Sequence, residues 1–227
     1  MILSDHPDLE VRAGRVPKGT AGVVEGDTVV IVACRLRRWP MVRSLIAEGA
    51  NVDALGGDGK KALQVACQAA DKELDKELDS EDGYPRHRFR LFYNPQNGDP
   101  AVRSAVSAAL KDLLKKTSDV ADLKITYPDR NRFAESLVHF FSWHELEELL
   151  LLSLSRGLDV DAVTPAGWTA LMLTVARARP EYVEILVENG ADVTKVNVSN
   201  DTALLVAIDP EGWKRAKFVT VVELEGK

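Results

Sequence analysis

Between Glu181 and Glu188 the apolar residues Tyr182, Val183, Ile185, Leu186 and Val187 recur at helical spacing, with Glu181, Glu184 and Glu188 on the other side. This pattern predicts a one-faced helix that must bury its apolar stripe against a neighbour. Gly190 stands just past it, where a helix end commonly needs a positive φ. The stretch AVRSAVSAALKDLLKKT from Ala101 has apolar helical spacing too, and Asp99 followed by Pro100 makes a good helix start. The short runs TVVIVAC, KALQVAC, TALMLTV and TALLVAI predict further helices.

Those runs share one period. TVVIVAC begins at Thr28 and KALQVAC at Lys61, and TALMLTV at Thr169 and TALLVAI at Thr202 stand at the same separation. A second marker keeps the phase: GANV from Gly49, GLDV from Gly157 and GADV from Gly190 follow Thr28, Ser136 and Thr169 at one constant distance along the chain. The unit at Ser136 reads SLVHFFS, diverged but in phase. A fixed period of this length marks stacked supersecondary units that cannot bury their apolar faces singly. The repeat resembles the ankyrin family, whose unit of about 33 residues is a β-turn followed by two antiparallel helices with a TPLHxA-like start. GWTALMLTVARARPEYVEILVENGADV from Gly167 is similar to that consensus nearly throughout, departing at Ala170, where proline is usual, and at Met172, where histidine is usual.

The resemblance covers most of residues 26 to 227 and implies an all-α ankyrin-repeat solenoid of about five repeats. A segment and cap are expected at 1–26, then units near 27–60, 61–127, 128–167, 168–200 and 201–227. Gly26, Gly59 and Gly167 are expected in the turns ahead of the first helices, with Asn200 as the next most tolerant residue in the last unit. The phase also locates extra sequence. Lys61 and Thr117 lie more than twice as far apart as the two markers do in the other units, so the second repeat is expected to carry an inserted finger at about 80–99. A smaller surplus falls in the turn before Ser136. DKELDKELDSED is expected to lengthen the first helix of that repeat, and GYPRHRFRLFYNPQNGDP alternates Arg86, Arg88 and Arg90 with His87, Phe89 and Leu91, as a short strand or extended loop.

Composition narrows the function classes. With 45% hydrophobic and 28% charged residues the chain is neither collagen-like, wholly disordered nor a polytopic membrane protein. Its 29 basic and 35 acidic residues, net -6, disfavour nucleic acid as a partner of the whole molecule. No apolar run is long enough for a signal peptide or a transmembrane segment, so an intracellular, by default cytoplasmic, location is expected. Cys34 and Cys67 occupy the same slot in consecutive units and read as small core residues. HELEE from His144 lacks the second histidine of a zinc motif, and GGDGKKA from Gly56 lacks the first glycine and the hydroxyl of a phosphate loop. No catalytic, cofactor-binding or metal-binding residues are therefore predicted, and the chain reads as a non-enzyme. His139 falls in the family's TPLH slot and is expected to stabilise a turn, while Trp39 and Trp143 read as packing residues.

Function is expected at the variable positions, because in this family the turn tips and first-helix faces line a concave partner-binding surface. Those slots hold Leu55, Asp58 and Lys60, then Val163 and Trp168, then Val196, Val198 and Asp201. Trp168 with the three valines is expected as an exposed apolar set, with Trp168 as anchor. In the finger, Phe89, Phe92 and Tyr93 would contact a partner, with Arg86, Arg88 and Arg90 at the rim. The expected function is a non-catalytic protein–protein interaction scaffold, an adaptor or accessory subunit of a larger assembly. The alternative is a sensor binding a small anionic ligand or RNA through the arginine and aromatic insertion. Self-association is not specified by the sequence.

Overall fold

The computed structural model of the chain describes residues 9–14, 22–74, 99–126 and 134–208. They fall into two units, one holding the described residues up to 74 together with 99–119, the other holding 120–126 and 134–208.

The first unit contains α1 (Val29–Arg35), α2 (Trp39–Ala47), α3 (Ala62–Leu74) and α4 (Pro100–Lys116). Thr28 caps α1, its hydroxyl accepting from the Ile31 N–H, and satisfies a donor that the first turn leaves unpaired. Val30, Ile31, Ala33 and Cys34 then bury one face of the helix. Arg37 turns the chain with φ 55°, and Pro40 lies in the first turn of α2, where its missing N–H costs no helical bond. Asp99 caps α4 by accepting from the Ala101 N–H at 2.9 Å, as its sequence predicted. α1 packs on α2 and α3, and α4 packs on α2 and α3. α3 continues through Asp71–Leu74, so the start of the acidic stretch does lengthen this helix; the rest of that stretch and the finger expected at about 80–99 lie outside the described residues. Ahead of α1, Ala13 N–H donates to the Asp27 carbonyl at 2.7 Å and Gly26 N–H to the Ala13 carbonyl at 2.8 Å, pairing the preceding segment with the first turn.

In the second unit the strands β1 (Lys124–Thr126) and β2 (Ala134–Ser136) pair antiparallel, with Ile125 opposite Glu135. The sequence offers only surplus residues here and predicts no strands. α5 (Leu137–Trp143), α6 (Glu147–Ser155), α7 (Ala170–Ala176), α8 (Pro180–Glu188) and α9 (Ala203–Ile208) follow. α6 packs on α5 and α8 on α7, while α7 lies against both α5 and α9. Leu137, Phe140, Phe141, Leu149 and Leu150 are wholly buried, the two phenylalanine rings meeting edge-on at 5.7 Å. The architecture is the all-α class expected, with one short hairpin added. Gly26, Gly59, Gly167 and Asn200 all adopt the positive φ foreseen for their turns.

Cys34 and Cys67 are buried free thiols, and burial pushes Cys34 up to about 12 and Cys67 well above the ordinary thiol range. They are core residues without thiolate chemistry at neutral pH.

Candidate functional site

Two neighbouring hairpins in the second unit carry the variable positions. The first closes through Thr164 N–H to the Trp168 carbonyl at 2.9 Å, and the second through Asn197 N–H to the Asp201 carbonyl at 3.1 Å. The Asn197 side-chain oxygen accepts from the Ser199 and Asp201 N–H groups, both at 2.9 Å, which fixes the second turn from within. Val198 N–H donates to the Ala166 carbonyl at 3.1 Å and ties the two hairpins together. Their backbones touch at Gly167, where a Cβ would stand 3.0 Å from Asn197 Cα and 3.1 Å from Val198 N. Any larger residue would force the neighbouring hairpin to give way, and the φ of 74° also favours glycine.

On this fixed edge Val163 is 55%, Val196 46% and Val198 53% exposed, so the three valines expected at the tips do present apolar surface to solvent. Trp168 requires a correction. It is only 6% exposed and is no free anchor. Its carbonyl closes the hairpin and also accepts from His139 Nε2 at 2.9 Å, while its backbone N–H donates to Thr164 Oγ1 at 3.1 Å, so the residue is built into the hairpin rather than displayed from it. Asp201 is half-buried against Asn197, with Asn197 Nδ2 3.4 Å from its Oδ2.

His139 has the turn-stabilising place that its slot predicted. The Trp168 carbonyl can only accept, so Nε2 carries the proton, and Nδ1 accepts from Ser136 Oγ at 2.7 Å. Burial disfavours the charged ring and lowers its pKa to about 4, so it is a neutral imidazole joining two repeats.

In the first unit, Leu55 is 51% exposed beside a turn closed by Gly56 N–H to the Lys60 carbonyl at 2.9 Å. The charged members of that turn are already paired: Asp58 lies 2.9 Å from Arg35 and 3.3 Å from Lys60. Burial alone would raise the Asp58 pKa, but the hydrogen bonds and charges of Arg35 and Lys60 together outweigh it and hold the carboxyl below its ordinary range. Arg86, Arg88, Phe89, Arg90, Phe92 and Tyr93 lie outside the described residues.

A charge contrast between the two units escaped the sequence reading. Asp53 at the first-unit hairpin pairs with Lys61 at 3.0 Å, so its carboxylates, like Asp58, have cationic neighbours. In the second unit Asp159, Asp161 and Asp192 accept, among the described residues, from backbone or hydroxyl donors, such as Asp192 N–H to Asp161 at 2.9 Å and Thr194 Oγ1 to Asp192 at 2.6 Å. These aspartates sit inside the GLDVD and GADV markers, where the repeat phase drew attention away from their charge.

Among the described residues no group of three or more His, Cys, Asp or Glu is placed to hold a metal ion. His144 of the HELEE stretch is buried with its ring 4.5 Å from that of Phe140. No helix among the described residues is long and apolar enough to cross a membrane.

Comparison with known proteins agrees with this geometry. The family model described as Ankyrin repeat matches residues 166–198, which include the Trp168 side of the first hairpin, all of α7 and α8, and Val198. The B-cell lymphoma 3 protein homolog of Mus musculus is 30% identical over 171 residues, 74% of this chain and 36% of the mouse protein. The chain thus spans about a third of the length of that relative. Such repeats act in general through protein–protein contact. From its constant repeat period, its capped helix pairs and these two matches, the chain belongs to the ankyrin-repeat family.

Proposed function

We propose that the chain is a non-catalytic protein-binding module, an adaptor or accessory subunit of a larger assembly, that docks its partner along the hairpin edge. The observation that carries this reading is the set of exposed valines, Val163, Val196 and Val198, on hairpins whose backbones are locked by hydrogen bonds. Fully burying an exposed valine side chain is worth about 1.5 kcal/mol, so these half-exposed valines would each add about half of that to a docking energy. Because the hairpins are held before binding, little ordering entropy is lost when a partner seats on them. Leu55 in the first unit and the segment around 80–99, with its arginines and aromatics, are further docking surfaces within this reading.

An affinity capture from the native source tests it, comparing the wild-type chain with Val163→Asp/Val198→Asp and with a chain lacking residues 84–98. A protein retained by the wild type and lost with the double valine variant supports docking through the hairpin edge. Loss only with the deletion moves the site to the insertion. Retention of a nuclease-sensitive or small anionic species in place of any protein would replace the reading with that of a sensor.

A further inference from the structure

The hairpin edge of the second unit combines its apolar tips with an uncompensated negative charge. Residues 157–168 and 190–201 contain Asp159, Asp161, Asp192 and Asp201 against a single cation, Lys195. Among the described residues none of these four aspartates is in an ion pair with a lysine or arginine. The two arginines of the turn after α7 do not reach them, because Arg177 and Arg179 are engaged by Glu145 at 3.4 and 2.6 Å. The outer helix adds charge of the same sign, with Glu181, Glu184 and Glu188 on α8. The corresponding edge of the first unit is different: there Asp53 and Asp58 are each paired with a lysine or arginine. Two edges built on one repeat plan therefore differ in whether their carboxylates are already neutralised.

Exposed valines, and carboxylates that outnumber the one cation of the edge, Lys195, complement a surface that is apolar and basic together. We propose that the hairpin edge at 157–168 and 190–201 docks a protein segment whose apolar side chains are flanked by lysines or arginines. This rests on the protein-binding reading above and specifies the chemistry of the partner. The valines would carry most of the affinity, since exposed ion pairs are individually weak. The aspartates would speed encounter and reject acidic competitors, which is the usual work of complementary charge at an interface. An anionic nucleic acid or lipid headgroup is repelled by the same carboxylates.

The test uses the full chain and three short labelled peptides: one mixing leucine and valine with lysine, one with every lysine replaced by glutamate, and one with every apolar residue replaced by serine. The basic apolar peptide is expected to bind at least about tenfold more tightly than either control, and to weaken about tenfold between about 50 mM and about 500 mM salt. Val163→Ser/Val196→Ser/Val198→Ser should weaken it about tenfold or more. Asp159→Asn/Asp161→Asn/Asp192→Asn retains the acceptor oxygens that hold the turns, and should cost about three- to tenfold and flatten the salt dependence. Glu181→Gln/Glu184→Gln/Glu188→Gln on α8 should change affinity by less than about twofold. Equal binding of the glutamate peptide, or an α8 variant as damaging as the hairpin variants, would overturn the proposal, the latter because attraction would then be diffuse. A natural partner that is captured through the valines yet is indifferent to salt and to the three Asn substitutions would sink this inference and leave the protein-binding reading standing. Failure to retain any protein would sink both.

Discussion

His139 shows how one buried side chain sets a pH limit on the fold. Its ring is pinned between Ser136 Oγ and the Trp168 carbonyl and stays neutral, with a pKa lowered by burial from 6.5 to about 4. Above pH 6.5 the ring is neutral in folded and unfolded chains alike, and the folded state keeps the full benefit of these bonds. Between about 6.5 and 4 the unfolded chain takes up a proton that the folded chain refuses, so stability falls as the pH drops, by up to about 3 kcal/mol. Urea unfolding at pH 7 and pH 4.5 of the wild type and His139→Gln measures this. The variant should be the less stable at pH 7 by about 1–3 kcal/mol, from lost bonds to a buried carbonyl, and the gap should narrow at pH 4.5. Parallel losses at both pH values would show that another group carries the acid sensitivity. This role was legible in the sequence, because the TPLH slot fixes the histidine relative to a capping hydroxyl in the preceding turn. The burial of Cys34 and Cys67 was legible for the same reason of phase. The fate of Trp168 was not: its slot is variable, and the residue is buried in the structure, its backbone held by Thr164 of its own hairpin and by His139 of the neighbouring repeat.

At the level of the element, the turns decide what each helix pair tolerates. The short links from α1 to α2, from α5 to α6 and from α7 to α8 each pass through one left-handed residue that is not glycine: Arg37, Glu145 and Ala178, with φ of 55°, 54° and 52°. No glycine signalled these positions in the sequence, so the spacing alone located the links without their conformation. Ala178 is exposed, and Ala178→Gly should raise stability by about 0.5–1 kcal/mol by relieving the Cβ clash of that conformation. Two glycines of identical φ separate strain from contact. Gly59 and Gly167 both have φ 74°, but an added Cβ at Gly59 meets nothing within 4 Å, whereas at Gly167 it presses on the Asn197 and Val198 backbone. Gly59→Ala should cost about 1 kcal/mol, and Gly167→Ala about 2–3 kcal/mol, because there the next hairpin must also move. Equal losses in thermal or urea unfolding would mean that the hairpins separate without resistance. The link at Glu145 has a second duty, since its carboxylate holds Arg177 and Arg179 while the Arg177 guanidinium lies 4.6 Å over the Trp143 ring and donates to the Trp143 carbonyl. Glu145→Gln would leave the buried Arg177 without its counter-charge and should cost about 2–4 kcal/mol in urea unfolding, against less than about 1 kcal/mol for Arg179→Gln at the wetter member. Similar costs for both would place the energy in the exposed pair.

Across the molecule, the repeat period was enough to foresee paired helices and their buried faces, since stacking buries the same slots in each unit. It could not foresee β1 and β2, which occupy residues added to the repeat and so have no phase to be read from. The stacking rule also exposes where the second unit is weakest. Val138 and His139 of α5 are buried, and Leu171 and Met172, one repeat later in α7, are buried too. The next positions in that series, Leu204 and Leu205 of α9, are exposed, as is Ile208. Among the described residues α9 packs on α7 and leaves Leu204, Leu205 and Ile208 exposed, and in a nearest-neighbour stack an element with less buried apolar surface opens at a lower free energy. Amide exchange should therefore be fastest in α9, slower in α7 and slowest in α5, and equal rates would mean that the unit opens as a single cooperative block. The hairpin at 197–201 leads directly into α9, so a partner that seats on Val196 and Val198 binds the form in which α9 is docked. By linkage, saturating the basic apolar peptide at about 100 times its Kd should slow exchange in α9 by up to about a hundredfold, while amides in the already protected α5 change less. Slowing confined to the hairpin itself, with α9 unchanged, would show that the edge binds without depending on the docking of α9.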